Sequence, residues 1–244
     1  MIYQYSTLSK TLFIDIETVS EFRTYEKLPE RFKKLWHRKS NSLLRQTDPL
    51  SEEDYSELYK NRAAIFAEFG KIICISCGFL TEDELRVKSI RSHDEKEILD
   101  EFADLLVNYY ADPSDYYLCG HNIKEFDVPY ICRRMVKHGT FMPNMLDIAG
   151  KKPWQTEHLI DTMELWKFGD RKSYTSLDLL TAMLDIDSPK GDLDGSKVGG
   201  VYWEENNLDR IAKYCTNDVV TVVQIMMRYC GQNLIKQEKI VYVE

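Results

Sequence analysis

The sequence predicts an α/β protein, a sheet covered by helices on both faces. Three observations carry that expectation. Residues 11–16 and 71–80 are apolar runs rich in β-formers, and 84–91 alternates in the manner of a half-buried strand. Residues 95–110, 127–137 and 208–229 repeat their apolar side chains at helical spacing. From residue 95 onward strands and helices interleave, the order that layers helices against a sheet.

Taken in order, Thr11-Leu-Phe-Ile-Asp-Ile-Glu-Thr18 opens as a buried strand and ends in charge, with Asp15 and Glu17 near its C-terminal end. Their separation of two puts both side chains on one face. Lys71-Ile-Ile-Cys-Ile-Ser-Cys-Gly-Phe-Leu80 is the second strand, Thr81-Glu-Asp83 a turn, and 84–91 the third, so the three form an antiparallel meander. Glu95 to Tyr110 is a helix carrying Ile98, Leu99, Phe102, Leu105, Leu106 and Tyr109, with His93 or Asp94 as its cap. Asp115–Cys119 is a short strand, Gly120–Asn122 a turn, and Asp127–Lys137 a helix whose first turn accommodates Pro129. A strand end at Leu159 leads to helices through Leu165 and over Tyr174–Leu184, then to a Gly/Asp/Ser/Lys loop over Asp185–Gly200. The last helix runs from Leu208 to Tyr229, where Tyr214 and Asp218 are four apart and share a face.

Ser20–Gly70 is too long for a plain connection and has helical periodicity over Ser51–Phe69. It also holds the densest basic cluster: Arg31, Lys33, Lys34, His37, Arg38, Lys39 and Arg45. Structureless loops of this length are uncommon. The segment is therefore expected to be a helical insertion, residues 20–70, flanking the site within a single domain spanning residues 1–244.

The 244 residues suffice for one core with an insertion. No signal-peptide pattern and no membrane-length apolar run is present, so a cytoplasmic protein without membrane association is expected. The six cysteines lie mostly in apolar stretches, as reduced buried thiols do. Cys74-x-x-Cys77 has no partner pair at zinc spacing and faces both sides of a strand, which favours packing over metal binding. The net charge of −8 argues against a uniformly basic nucleic-acid surface, but bound divalent cations would neutralise part of it.

Asp15 and Glu17 at a strand end, Asp127 at a helix start and Asp218 on a helix face form a scattered carboxylate set. Hard, anionic, bridging oxygen ligands are what two divalent metals beside a phosphodiester require, the ions lying roughly 3.5 to 4 Å apart. Tyr214, one helical turn before Asp218, has a phenol placed to orient an attacking water and assist its deprotonation. Singly each piece is weak; as an ordered set they point to a nuclease.

With their flanks, Phe13-Ile-Asp-Ile-Glu-Thr18, Asn122-Ile-Lys-Glu-Phe-Asp127 followed by Pro129-Tyr130, and Tyr214-Cys-Thr-Asn-Asp218 resemble the Exo I, II and III motifs of the DEDDy branch of the DEDD exonuclease superfamily. The match is nearest to free-standing predicted 3'-5' exonucleases similar to the proofreading domain of family B DNA polymerases, and it runs from residue 11 to 230. The resemblance implies an RNase H-like fold, two Mg²⁺ or Mn²⁺ ions, and release of nucleoside 5'-monophosphates from a 3' end. By position Asp15, Glu17, Asp127 and Asp218 would be metal ligands, Tyr214 would position the water, Thr18 would lie near the terminal nucleotide, and Asn122 and Phe126 would line the strand path. The substrate expected is single-stranded DNA, with RNA as the alternative; a catalytically silent nucleic-acid-binding module is the rival from another class. Protein partners are not legible.

Other residues have bland and functional readings side by side. His121 caps a turn or touches a phosphate, and His158 makes a structural hydrogen bond near Asp161. Trp36, Trp154, Trp166 and Trp203 are expected to pack rather than stack on bases. Arg171, Lys172, Lys190 and Lys197 are either solvated charge or contacts to a nucleic-acid backbone.

Overall fold

The protein is described from a computed structural model over residues 4–45, 48–170, 174–187 and 193–243. A short helix α1 (Tyr5–Leu8) precedes β1 (Thr11–Ser20); α2 (Glu30–Leu44) and α3 (Glu52–Arg62) follow, then β2 (Gly70–Leu80), β3 (Leu85–Arg91) and α4 (Glu95–Tyr109). The chain continues through β4 (Tyr117–Gly120), α5 (Asp127–His138), β5 (Leu159–Asp161), α6 (Thr162–Lys167), α7 (Leu177–Met183), α8 (Val198–Gly200), α9 (Leu208–Tyr229) and β6 (Ile240–Val243). One sheet has the order β5-β4-β1-β2-β3-β6. The expected meander is present: β2 is antiparallel to both β1 and β3, while β4 is parallel to β1 and β5 to β4. The mixed α/β sheet with flanking helices is the architecture the interleaved pattern predicts.

Strand periodicity sorts β1 between two cores. Leu12, Ile14 and Ile16 pack with Ile98, Phe102, Ile131 and Met135 of α4 and α5. Phe13 faces the other way, into Val219, Val223 and Met226 of α9, and Val19 joins Ile73 and Ile211 on that same side. Asp15 and Glu17 thus interrupt an apolar row on the α9 face. The run of small and β-branched residues in α9 is explained by this position, since the helix is buried along most of its length.

Several boundaries differ from the sequence expectation. β1 extends past residue 16 to Ser20 because it stays paired with β2 as far as Gly70, with a register shift between Glu17 and Thr18. β4 starts at Tyr117 rather than Asp115, whose amide instead turns back onto Asp112 O. α7 begins at Leu177 rather than Tyr174, because Ser176 is its cap and its hydroxyl accepts from Leu179 N. The loop expected over Asp185–Gly200 ends in a helical turn, Val198–Gly200, that runs on into a wide turn at Val201–Glu205. β6, parallel to β3 from Leu85↔Ile240 to Lys88↔Val243, was not anticipated.

Between β1 and β2 the chain is helical. Trp36, fully buried, packs with Tyr25, Tyr55, Tyr59 and Phe69, and its indole donates to Tyr55 O at 3.0 Å. α3 starts at a capping box in which Ser51 and Asp54 satisfy one another's backbone. This segment is anchored to the strand at its far end: Thr18 Oγ1 and Tyr130 OH both donate to Ala64 O, at 2.9 and 3.0 Å. Among the described residues, no helix is long and apolar enough to cross a membrane.

Candidate active site

The site begins where β4 stops. β4 pairs with β1 only over Thr11–Phe13, so the β1 backbone beyond Phe13 lacks a strand neighbour on that side. Asp127, the first residue of α5, takes that place: its Oδ1 accepts from Ile16 N at 3.2 Å, between Asp15 and Glu17. α9 closes the other side, crossing β1, β2 and β3 and bringing Tyr214, Cys215 and Asp218 over the acidic row.

The turn that delivers Asp127 is held by a residue the motifs do not contain. Asp161, buried at the end of β5, accepts from Asn122 N (3.0 Å) and Lys124 N (3.2 Å) and also from Met163 N (3.0 Å) and Glu164 N (3.3 Å) at the start of α6. Asn122 adopts φ +64°, a left-handed conformation that asparagine tolerates better than most residues, and its carbonyl accepts from Phe126 N at 3.0 Å. Its signal in the sequence was an acid directly before Thr-Met-Glu, the pattern of a helix cap. Asp161→Ala strands several buried amides, so it should destabilise by about 1–3 kcal/mol in denaturant melts and loosen the turn that carries Asp127. A variant melting with the native protein would remove Asp161 from this role.

Glu17 and Asp127 are buried, whereas Asp15, Tyr214 and Asp218 are half-buried and open towards solvent. Burial and mutual repulsion act together. Desolvation, then Asp218, Asp127 and Glu17, push Asp15 well above the usual carboxylate range. Desolvation with Asp218, Cys74 and Asp127 does the same for Glu17. Burial drives Asp127 up to about 7 and Asp218 up to about 6, the latter restrained by the neighbouring Tyr214 hydroxyl. Burial and the neighbouring acids, Asp218 first, push Tyr214 upward as well. Among the described residues no lysine or arginine forms an ion pair with any of the four acids. Converging carboxylates without a protein cation are a donor set that fits hard divalent ions.

The remaining expectations resolve residue by residue. Thr18 turns to the opposite side from the acids and spends its hydroxyl on Ala64 O. Phe126 is half-buried against the α4–α5 core, 5.4 Å from the Tyr130 ring. Both nitrogens of His121 are engaged, with Thr162 Oγ1 and Thr175 O at 2.9 Å each, and burial lowers its pKa, so it is a neutral tie between loops. His158 bonds Met145 O at 3.0 Å. Trp203 donates to Ser20 Oγ and Trp166 packs near Leu180, while Trp154 is 65% exposed beneath Lys152, which departs from the packing expected of it. Lys197 pairs with Asp194 at 2.8 Å; Arg171, Lys172 and Lys190 lie outside the described residues. Cys74 and Cys77 face opposite sides of β2, as expected. In the basic cluster, His37 stacks on Tyr55 and Lys39 lies over Phe66, while Arg31, Lys34, Arg38 and Arg45 are exposed.

A family model described as a predicted 3'-5' exonuclease related to the exonuclease domain of PolB matches residues 65–239. The matched span contains Asp127, Tyr214 and Asp218, and Asp15 and Glu17 precede it. Among solved structures, the family B DNA polymerase from the hyperthermophilic archaeon Pyrobaculum calidifontis is similar with a TM-score of 0.54 and 15% identity, over 90% of this chain and 24% of the polymerase chain. At that identity the likeness establishes the fold, an RNase H-like mixed sheet, and this chain spans about a quarter of that polymerase's length. No curated protein matches the sequence.

Proposed function

Because the chain belongs to the family of predicted 3'-5' exonucleases related to the exonuclease domain of PolB, we propose that it hydrolyses the terminal phosphodiester at the 3' end of single-stranded DNA and releases nucleoside 5'-monophosphates. Asp15, Glu17, Asp127 and Asp218 would hold two divalent ions, Mg²⁺ or Mn²⁺. The observation that carries this reading is the convergence of four acids with no protein cation where β4 ends beside β1. Bound there, the ions would supply charge neutralisation and Lewis acidity at the scissile phosphate.

The chain's own part is positioning. β1, paired with β2 along Phe13–Ser20 and with β4 over Thr11–Phe13, fixes Asp15 and Glu17. Asp127 is locked by Ile16 N, and α9 places Tyr214 and Asp218 from the opposite layer. Tyr214, one helical turn before Asp218 and electrostatically coupled to it, would orient the attacking water and assist its deprotonation. The cytoplasm is the proposed location.

The direct test is a time course with 5'-labelled single-stranded DNA, duplex DNA and RNA in Mg²⁺, Mn²⁺ or chelator. Progressive shortening of single-stranded DNA from its 3' end, stopped by chelator, is the expected result. Equal or faster degradation of RNA would move the substrate to RNA, and intact substrates in both metals would sink the proposal.

A further inference from the structure

The carboxylates have a soft neighbour. Cys215, fully buried on α9, lies with its Sγ 3.3 Å from Asp15 Oδ2 and 3.3 Å from Asp15 O. Donor atoms of Asp15, Glu17 and Cys215 all fall within 4.8 Å of one another. Glu17 is 8% exposed, and among the described residues its carboxylate takes part in no hydrogen bond, so a buried, unpartnered ligand points into this group. Beneath it, Cys74 is the cross-strand partner of Glu17 and packs against Cys215 and Ala212. Magnesium is served by oxygen alone, whereas thiolate selects softer ions. Metal–sulfur and metal–oxygen bonds of about 2.3 and 2.0–2.2 Å at a tetrahedral angle place the two donors roughly 3.5 Å apart. The Cys215–Asp15 contact already has that spacing.

Resting on the metal-dependent reading above, we propose that Cys215 gives this centre a second metal choice: a thiophilic dication of the zinc or cadmium class binds to Asp15, Glu17 and Cys215 Sγ and displaces the hard ions. No electrons are transferred. The thiol proton that now points at Asp15 passes to solvent, and the dication takes its place between sulfur and oxygen, since coordinated thiols are deprotonated. Three protein donors leave a coordination position to water. A merely structural Cys215, packed in the core and donating to Asp15, predicts none of this.

Titration of the full chain with Cd²⁺ reads the sulfur directly through the ultraviolet sulfur-to-cadmium charge-transfer band. The expected result is a band saturating at one Cd²⁺ per chain and suppressed by excess Mn²⁺. Cys215→Ser should lose that band and bind Cd²⁺ at least tenfold more weakly, yet hold Mn²⁺ within about threefold of the native affinity by calorimetry. Cys119→Ser, a buried thiol away from the site, should keep the band. If Cys215→Ser fails to fold, ¹¹³Cd resonance of the native protein still separates a sulfur-bound ion from one bound by oxygen alone. Stoichiometric Cd²⁺ binding without the band, an all-oxygen ¹¹³Cd shift, or a band surviving in Cys215→Ser overturns the proposal while leaving the exonuclease reading intact. Failure to bind either Mn²⁺ or Cd²⁺ overturns both.

Discussion

Asp15→Ala should lower the rate of 3'-end degradation by more than about a hundredfold while the protein still folds. Loss of an outer-shell partner at a metal centre typically costs roughly 10–100-fold, and Asp15 lies at the middle of the set rather than outside it. Asp218, Asp127 and Glu17 all press on its carboxylate, and it meets Cys215 from the helix layer. Removing it also relieves repulsion among buried acids, so the circular dichroism spectrum and the melting temperature should not fall. Tyr214→Phe is the matched comparison. It takes away one hydroxyl but leaves all four acids, so its loss should be smaller than that of Asp15→Ala. Native-like digestion by purified Asp15→Ala would contradict the assignment, and a larger loss in Tyr214→Phe would invert the roles given to the two residues.

The acidic cluster should take stability from the metal-free protein as pH rises from about 4 to about 7, and divalent ions should reverse this. Unfolded aspartate titrates near 3.9, whereas Asp127 and Asp218 are held at about 7 and about 6, and Asp15 and Glu17 are also raised. Between those limits these acids bind more protons in the folded protein than in the unfolded chain, so their contribution to stability falls with increasing pH and is fullest below the unfolded pKa. Asp127→Asn retains an acceptor for Ile16 N and removes one charge. At pH 8 without metal it should be more stable than the native protein by on the order of 2 kcal/mol, and at pH 4 the difference should vanish. Mn²⁺ at a hundred times its Kd adds about 2.7 kcal/mol to the native protein, an upward shift of roughly 5–10 °C for a chain of this size. In Asp127→Asn that shift should shrink. Melting curves across pH with chelator or Mn²⁺ decide the matter: a metal-free native protein that grows more stable towards pH 8 relative to Asp127→Asn would show that the acids are not a repulsive cluster.

Much of this architecture is written locally. Strand alternation placed Asp15 and Glu17 on one face, and α9 matched its expected span because a long amphipathic pattern with an Asn207 cap leaves little ambiguity. Where the reading missed, distant partners were decisive. β6 has a sequence too short to stand out and exists through pairing with β3. Thr18 was expected near a substrate, but the segment between β1 and β2 returns Ala64 O to its hydroxyl.

The sequence by itself determined which acids and which phenol are available and that they lie on one face of a strand, a helix start and a helix face, because these are matters of residue type and of periods of two and 3.6. Only the tertiary structure decided that β4 ends early enough to admit Asp127 to Ile16 N, that Asp161 ties the turn beneath it, and that Cys215 lies against Asp15. Those outcomes depend on where strands stop pairing and on which helix face meets the sheet, and neither is encoded within any one segment.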